Sequence, residues 1–232
     1  MAKELSKKEL NALQNKSKKI NVLSVFMGVL FLGSLWGILE ATMGNILHWI
    51  GFFPGTGMLM TSIAIGIMTF GRKLYHVKGI GIFMGIIAAG IKSLDFLVPG
   101  SNVVRPMVAI IITACAYEAI MYVAEKVKES LVVETIAGVI TGYVSITVFA
   151  YFTAYVMQFN YWLSKGALGI LKFIGTDEWM FGPGAGIMVL LGTFAIHISD
   201  NLLSIRNFVK TRAFYGISCV FAAICITVAF FV

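Results

Sequence analysis

Seven ionisable residues sit inside long apolar runs of this chain: Glu40, Lys92, Asp95, Arg105, Glu118, His197 and Asp200. A charge at the centre of a membrane helix costs about 2.5–3.5 kcal/mol on insertion scales, so such residues pair with one another, bind something or relay protons. Counted along runs that rise ~1.5 Å per residue, Glu40, Lys92, Asp95 and Arg105 fall at one level. They supply two charges of each sign. Lys92 and Asp95 stand three apart, on one helix face, where they can neutralise each other. Trp36, Asn45 and His48 extend the face of Glu40. The chemistry open to this group is a hydrated pocket that holds a small polar or zwitterionic solute, or a set of staples between helices.

A second group is expected deeper: Glu118 on one run, with His197, Asp200 and Asn201 on another. His197 stands three residues from Asp200 and four from Asn201, again on one face. This group could relay protons, bind an ion or fasten helices. His48 and His197 fall at different depths, so no shared metal or haem site is expected, and no cofactor is assigned.

The elements that carry these residues follow from composition. Of 232 residues, 59% are hydrophobic and 12% charged, about half the ~25% charge of soluble domains. Eighteen basic and eleven acidic side chains cannot cover a soluble protein of this size. Apolar runs near the ~20 residues that span a bilayer fall at 22–49, 56–71, 79–98, 104–124, 131–158, 185–205 and 213–231. The runs are continuous, without the period-two alternation of a barrel strand. The expected fold is an all-α polytopic membrane protein with a six-helix core and a seventh transmembrane helix. Three regions are expected: a basic cytoplasmic segment over 1–21, a membrane core over 22–205, and a junction with the last helix over 206–232.

The formal net charge of +7 reads as topology. Lys3, Lys7, Lys8, Lys16, Lys18 and Lys19 precede the first run. Arg72, Lys73 and Lys78, then Lys126 and Lys128, then Arg206, Lys210 and Arg212 punctuate alternate junctions. All fall on one side if the N-terminus is cytoplasmic, which is the positive-inside pattern of a plasma (inner) membrane protein. Basic residues spread in this way do not form a nucleic-acid surface. Ser6–Glu9 fits a helix capping box, so the first segment could form a short surface helix. Cys115, Cys219 and Cys225 lie inside runs and show neither a disulfide framework nor metal spacing.

Pro54-Gly55, Pro99-Gly100 and Pro183-Gly184 mark expected turns at the opposite junctions. Small residues recur every fourth position at Gly33, Gly37 and Ala41, and again at Gly81, Gly85 and Ala89. Such stripes let helix backbones approach closely, either within the chain or against a partner. The junction 159–184 is long and aromatic, with Tyr161, Trp162, Phe173, Trp179 and Phe181 placed to lie at the interface or to cover a site. No phosphate-binding loop and no hydrolase or metalloprotease signature is present, so no enzyme activity is expected.

Together these features resemble the substrate-binding S components of energy-coupling factor transporters. The resemblance covers the first six runs. It implies a six-helix core that binds a vitamin- or cofactor-like solute near the outer surface, beneath the loops at 50–56 and 159–184. It implies that Gly33, Gly37 and Ala41 dock a transmembrane coupling subunit, with partner ATPase subunits supplying energy. The chain departs from that family in its seventh run and its long 159–184 segment. Residue two is Ala2, so the N-terminal metal site of the cobalt and nickel subgroup is missing. Two other functions fit the residues: an autonomous ion- or proton-coupled transporter or channel using the deeper group, and a membrane enzyme or assembly factor using His197 and Asp200 as an acid/base pair.

Overall fold

The computed structural model describes residues 22–50, 55–97, 103–128 and 130–231, with backbone alone for 44–50, 202, 203 and 231. The basic segment 1–21 with its Ser6–Glu9 box, and the Pro54 and Pro99 turns, lie outside the described residues. Helix α1 spans Val22–Ile50, α2 Thr56–Tyr75, and α3 Ile80–Lys92, which tightens into a 3-10 turn over Ser93–Leu97. Helix α4 spans Val104–Val127, and α5 spans Leu131–Tyr151 and continues as a π turn over Phe152–Val156. Two short helices follow, α6 at Asn160–Leu163 and α7 at Gly166–Thr176. Helix α8 is Phe181–Leu203, α9 Ile205–Phe208 and α10 Arg212–Phe231.

The chain is an all-α polytopic membrane protein. Among the described residues, six helices are long and apolar enough to cross a membrane: α1, α3 with its turn, α4, α5 with its turn, α8 and α10. The residues expected to form the second span make up α2, 20 residues long, which is not one of those six. It carries Ser62, Thr69, Arg72 and Lys73, and it packs inside the bundle, chiefly against α8 and α1. Protein encloses it, so it needs less apolar surface than a lipid-facing helix. The main core lies between α1, α2, α3 and α4, where Trp36, Ile65, Met68, Met84 and Tyr117 are fully buried.

Close helix approach follows from small residues. A β-carbon on Gly142 of α5 would stand 2.2 Å from the Phe181 carbonyl oxygen of α8. A β-carbon on Gly182 would enter the Tyr143 ring. Gly182 to Gly186 therefore do not form a turn, contrary to the expectation from Pro183-Gly184. They lie in the first turns of α8, where Pro183 forfeits no intrahelical hydrogen bond. The 159–184 segment is likewise not a plain loop, because α6 and α7 occupy much of it.

The described basic clusters converge on one end of the bundle. The Arg206 Nη1 lies 3.0 Å from His76 Nε2, and Arg72, Lys73, Lys78, Lys126 and Lys128 share a cavity of about 350 Å³ there. Helix α10 lies along α1. Phe31 meets the rings of Phe214 and Phe221 at centroid distances of 6.0 and 4.6 Å, and Ala41 is buried with Ile91, Cys225 and Ala229.

Candidate functional site

At the end remote from the basic clusters, where α2, α4 and α8 begin, the bundle encloses a cavity of about 720 Å³. This lies within the ~300–1,000 Å³ typical of small-molecule sites. Trp36, Glu40, Lys92, Asp95 and Arg105 all line it. These five residues come from α1, from α3 and its turn, and from α4, so one cavity gathers charges from three parts of the sequence.

Each charge has a distinct setting. Lys92 closes α3, where the negative end of the helix dipole favours a cation. Its Nζ lies 2.6 Å from Asp95 Oδ2, and both side chains are buried. The 3-10 turn that begins at Ser93 carries Asp95. Lys92 Nζ also donates to the Glu40 carbonyl oxygen at 3.3 Å. The Trp36 indole N–H donates to Glu40 Oε1 at 3.3 Å, one helical turn away. Arg105, the second residue of α4, places its guanidinium over the Phe159 ring, 3.9 Å from the centroid. Its neighbour Pro106 occupies the first turn of α4, where a missing N–H removes no intrahelical bond.

Phe159 reaches the cavity through an irregular backbone. The π turn ends α5, Gln158 takes a left-handed φ of 54°, and the Phe159 amide donates to the Thr153 carbonyl at 2.9 Å. Left-handed backbone is disfavoured for a residue with a β-carbon, so local contacts hold it. Tyr161 and Trp162 follow on α6 and also line the cavity. They pack edge to face with Phe173 of α7. Lys165 lies over the Tyr161 and Phe173 rings at 4.8 and 4.1 Å. The segment is tied to α5 by hydrogen bonds from Tyr143 Oη to the Trp179 carbonyl and from Tyr151 Oη to the Ala167 carbonyl. Glu178, beside Asp177 in this segment, has its carboxyl pKa pushed up by burial and by that neighbouring charge.

Ser145, Phe149 and Phe159 are cavity residues that the sequence reading did not single out. Ser145 shares its stretch of α5 with Thr141, Tyr143 and Thr147, so its type alone did not set it apart in the sequence. Asn45 and His48 fall on the α1 backbone, but their side chains lie outside the described residues.

The deeper group does not assemble. Glu118 is tied to Arg72, and it accepts the backbone N–H groups of Gly79 at 2.9 Å and Gly81 at 2.7 Å. Arg72 also reaches Glu125 at 2.7 Å. Glu118 therefore fastens the α2–α3 turn to α4. Asp200 pairs with Arg206 at the basic end. His197 is exposed, and its ring contacts Asn201 at 3.3 Å. Sequence depth placed Glu118 and the α8 residues at one level, but their faces point to different neighbours.

The stripe of Gly33, Gly37 and Ala41 is also reassigned. Gly33 and Gly37 pack against Ile87 and Ile91 of α3, and Ala41 lies beneath α3 and α10. The chain's own helices occupy the face expected to dock a coupling subunit. Among the described residues, no three His, Cys, Asp or Glu side chains converge in a way that could hold a metal ion. No protein-family model matches this sequence, and neither a curated protein nor a solved structure matches it significantly.

Proposed function

We propose that this protein is a membrane-embedded solute-binding subunit of a transporter, taking up a small polar, vitamin- or cofactor-like molecule. One observation carries the reading: Glu40, Lys92, Asp95 and Arg105 line a single cavity with aromatic walls at one end of the bundle. A few polar groups converging in a mostly apolar pocket is the usual form of a small-molecule site. The positive-inside rule puts the basic end in the cytoplasm and the cavity on the outer side of the plasma membrane. Energy comes from partner ATPase subunits through a transmembrane coupling subunit. That partner docks away from Gly33, Gly37 and Ala41, because α3 and α10 cover them. Among the described residues, Glu118, His197 and Asp200 are held by separate partners, which disfavours a proton relay built from that group.

The test is to purify the full chain from its native membrane, denature it and identify the released solutes by mass spectrometry. One polar solute near equimolar amount, with ATPase subunits copurifying, is the expected result. Proton-coupled flux through liposomes holding this chain alone, with no retained solute, would overturn the reading.

A further inference from the structure

The four charges of the cavity are not equivalent. Lys92 is already held by Asp95 and by the Glu40 carbonyl oxygen. The Glu40 carboxylate receives the Trp36 N–H and makes no ion pair among the described residues. With Glu40 ionised, the wall formed by α1 and α3 carries a net negative charge. Arg105 rests on the Phe159 ring and likewise makes no ion pair among the described residues. It lies at the start of α4, and α2 and α8 also begin at the cavity. Helix N-termini carry positive partial charge, which adds to the guanidinium and favours an anion there. A cation stacked on an aromatic ring stays available to a carboxylate in its own plane.

A second observation is independent of charge. On α5 the hydroxyls of Thr135, Thr141 and Thr147 each return to the carbonyl four residues earlier, and Thr153 does the same in the π turn. Ser145 does not. The residue lines the cavity, and its Oγ is buried and makes no hydrogen bond among the described residues. A buried hydroxyl without a partner is costly, and a ligand in the cavity would supply one.

We infer that the cavity takes a small zwitterion with a planar apolar body, its cationic nitrogen at Glu40, its anionic group at Arg105 and a hydrogen-bonding edge on Ser145. The inference rests on the solute-binding reading above and adds the ligand's charge pattern and orientation. Phe149, Phe159 and Trp162 supply surfaces on which a planar body packs.

Saturation-transfer NMR on the purified full chain tests this with two rings in four charge forms. The indole set is tryptophan, indole-3-propionate, tryptamine and 3-methylindole. The pyridine set is 3-pyridylalanine, nicotinate, 3-picolylamine and 3-methylpyridine. The zwitterion of at least one ring is expected to bind about tenfold tighter than its anion or cation, the effect of one additional charge-assisted contact. Arg105→Ala should reduce the zwitterion to the level of the cation, and Glu40→Gln to that of the anion. Arg105→Lys, which keeps the charge if the alanine variant fails to fold, should retain the preference for an anionic group. Ser145→Ala should weaken binding about three- to tenfold, the worth of one hydrogen bond, without lowering the thermal midpoint. Neutral or singly charged forms binding as well as the zwitterion, unaffected by Arg105→Ala and Glu40→Gln, would overturn the charge assignment alone. No saturation transfer from any probe, with no solute released from native protein, would overturn solute binding itself.

Discussion

Ile91 of α3 rests on Gly37 of α1 so closely that a β-carbon at Gly37 would stand 2.9 Å from the Ile91 Cβ. Gly33 repeats the relationship one turn earlier against Ile87. The stripe is thus an internal helix seam. Replacing Gly37 by Val forces α1 and α3 apart, and overpacking of this kind costs about 1–3 kcal/mol. The thermal midpoint of the isolated chain should fall. A stripe reserved for a partner would leave that midpoint unchanged and weaken only the association.

Lys92 and Asp95 form a buried pair at the cavity wall. Removing one partner strands a charge, at a cost of about 3–5 kcal/mol, whereas replacing both with apolar groups is often neutral. Lys92→Met and Asp95→Leu are each expected to destabilise more than the double variant. Chemical unfolding of all four proteins in one detergent gives the coupling. Additive losses in the double variant would contradict a mutual pair.

Glu118 accepts two backbone N–H groups and holds the Arg72 guanidinium at the basic end. Glu118→Ala leaves buried donors without an acceptor and should cost about 3–5 kcal/mol. Glu118→Gln keeps an acceptor oxygen and should lose less. Solute binding by the folded fraction should stay unchanged, since Glu118 does not line the large cavity. A binding loss in folded Glu118→Gln protein would return this residue to a functional role.

Orientation can be read by labelling. With Cys115, Cys219 and Cys225 replaced by Ala, single cysteines are placed at the exposed positions Lys128 and Lys172. A membrane-impermeant maleimide added to intact cells should label Lys172→Cys. Lys128→Cys should react after permeabilisation alone. The reverse pattern would invert the proposed sidedness.

The apolar runs determined an all-helical membrane protein because a chain in lipid must satisfy its backbone hydrogen bonds within each segment. Spacing along one helix also sufficed for the pairing of Lys92 with Asp95 three residues later. Pairing between helices was not legible. Gly33 and Gly37 read equally well as an internal or an external seam, because a stripe of small residues records close approach and not what approaches. Depth placed Glu118 with His197, but rotation of each helix about its axis decided that Glu118 meets Arg72 and the Gly79 and Gly81 amides while His197 faces outward. The gathering of Glu40, Lys92, Asp95 and Arg105 around one cavity, with Ser145 at its wall, is a property of tertiary structure. A sequence fixes which charges share a level, whereas helix packing alone fixes which of them share a space.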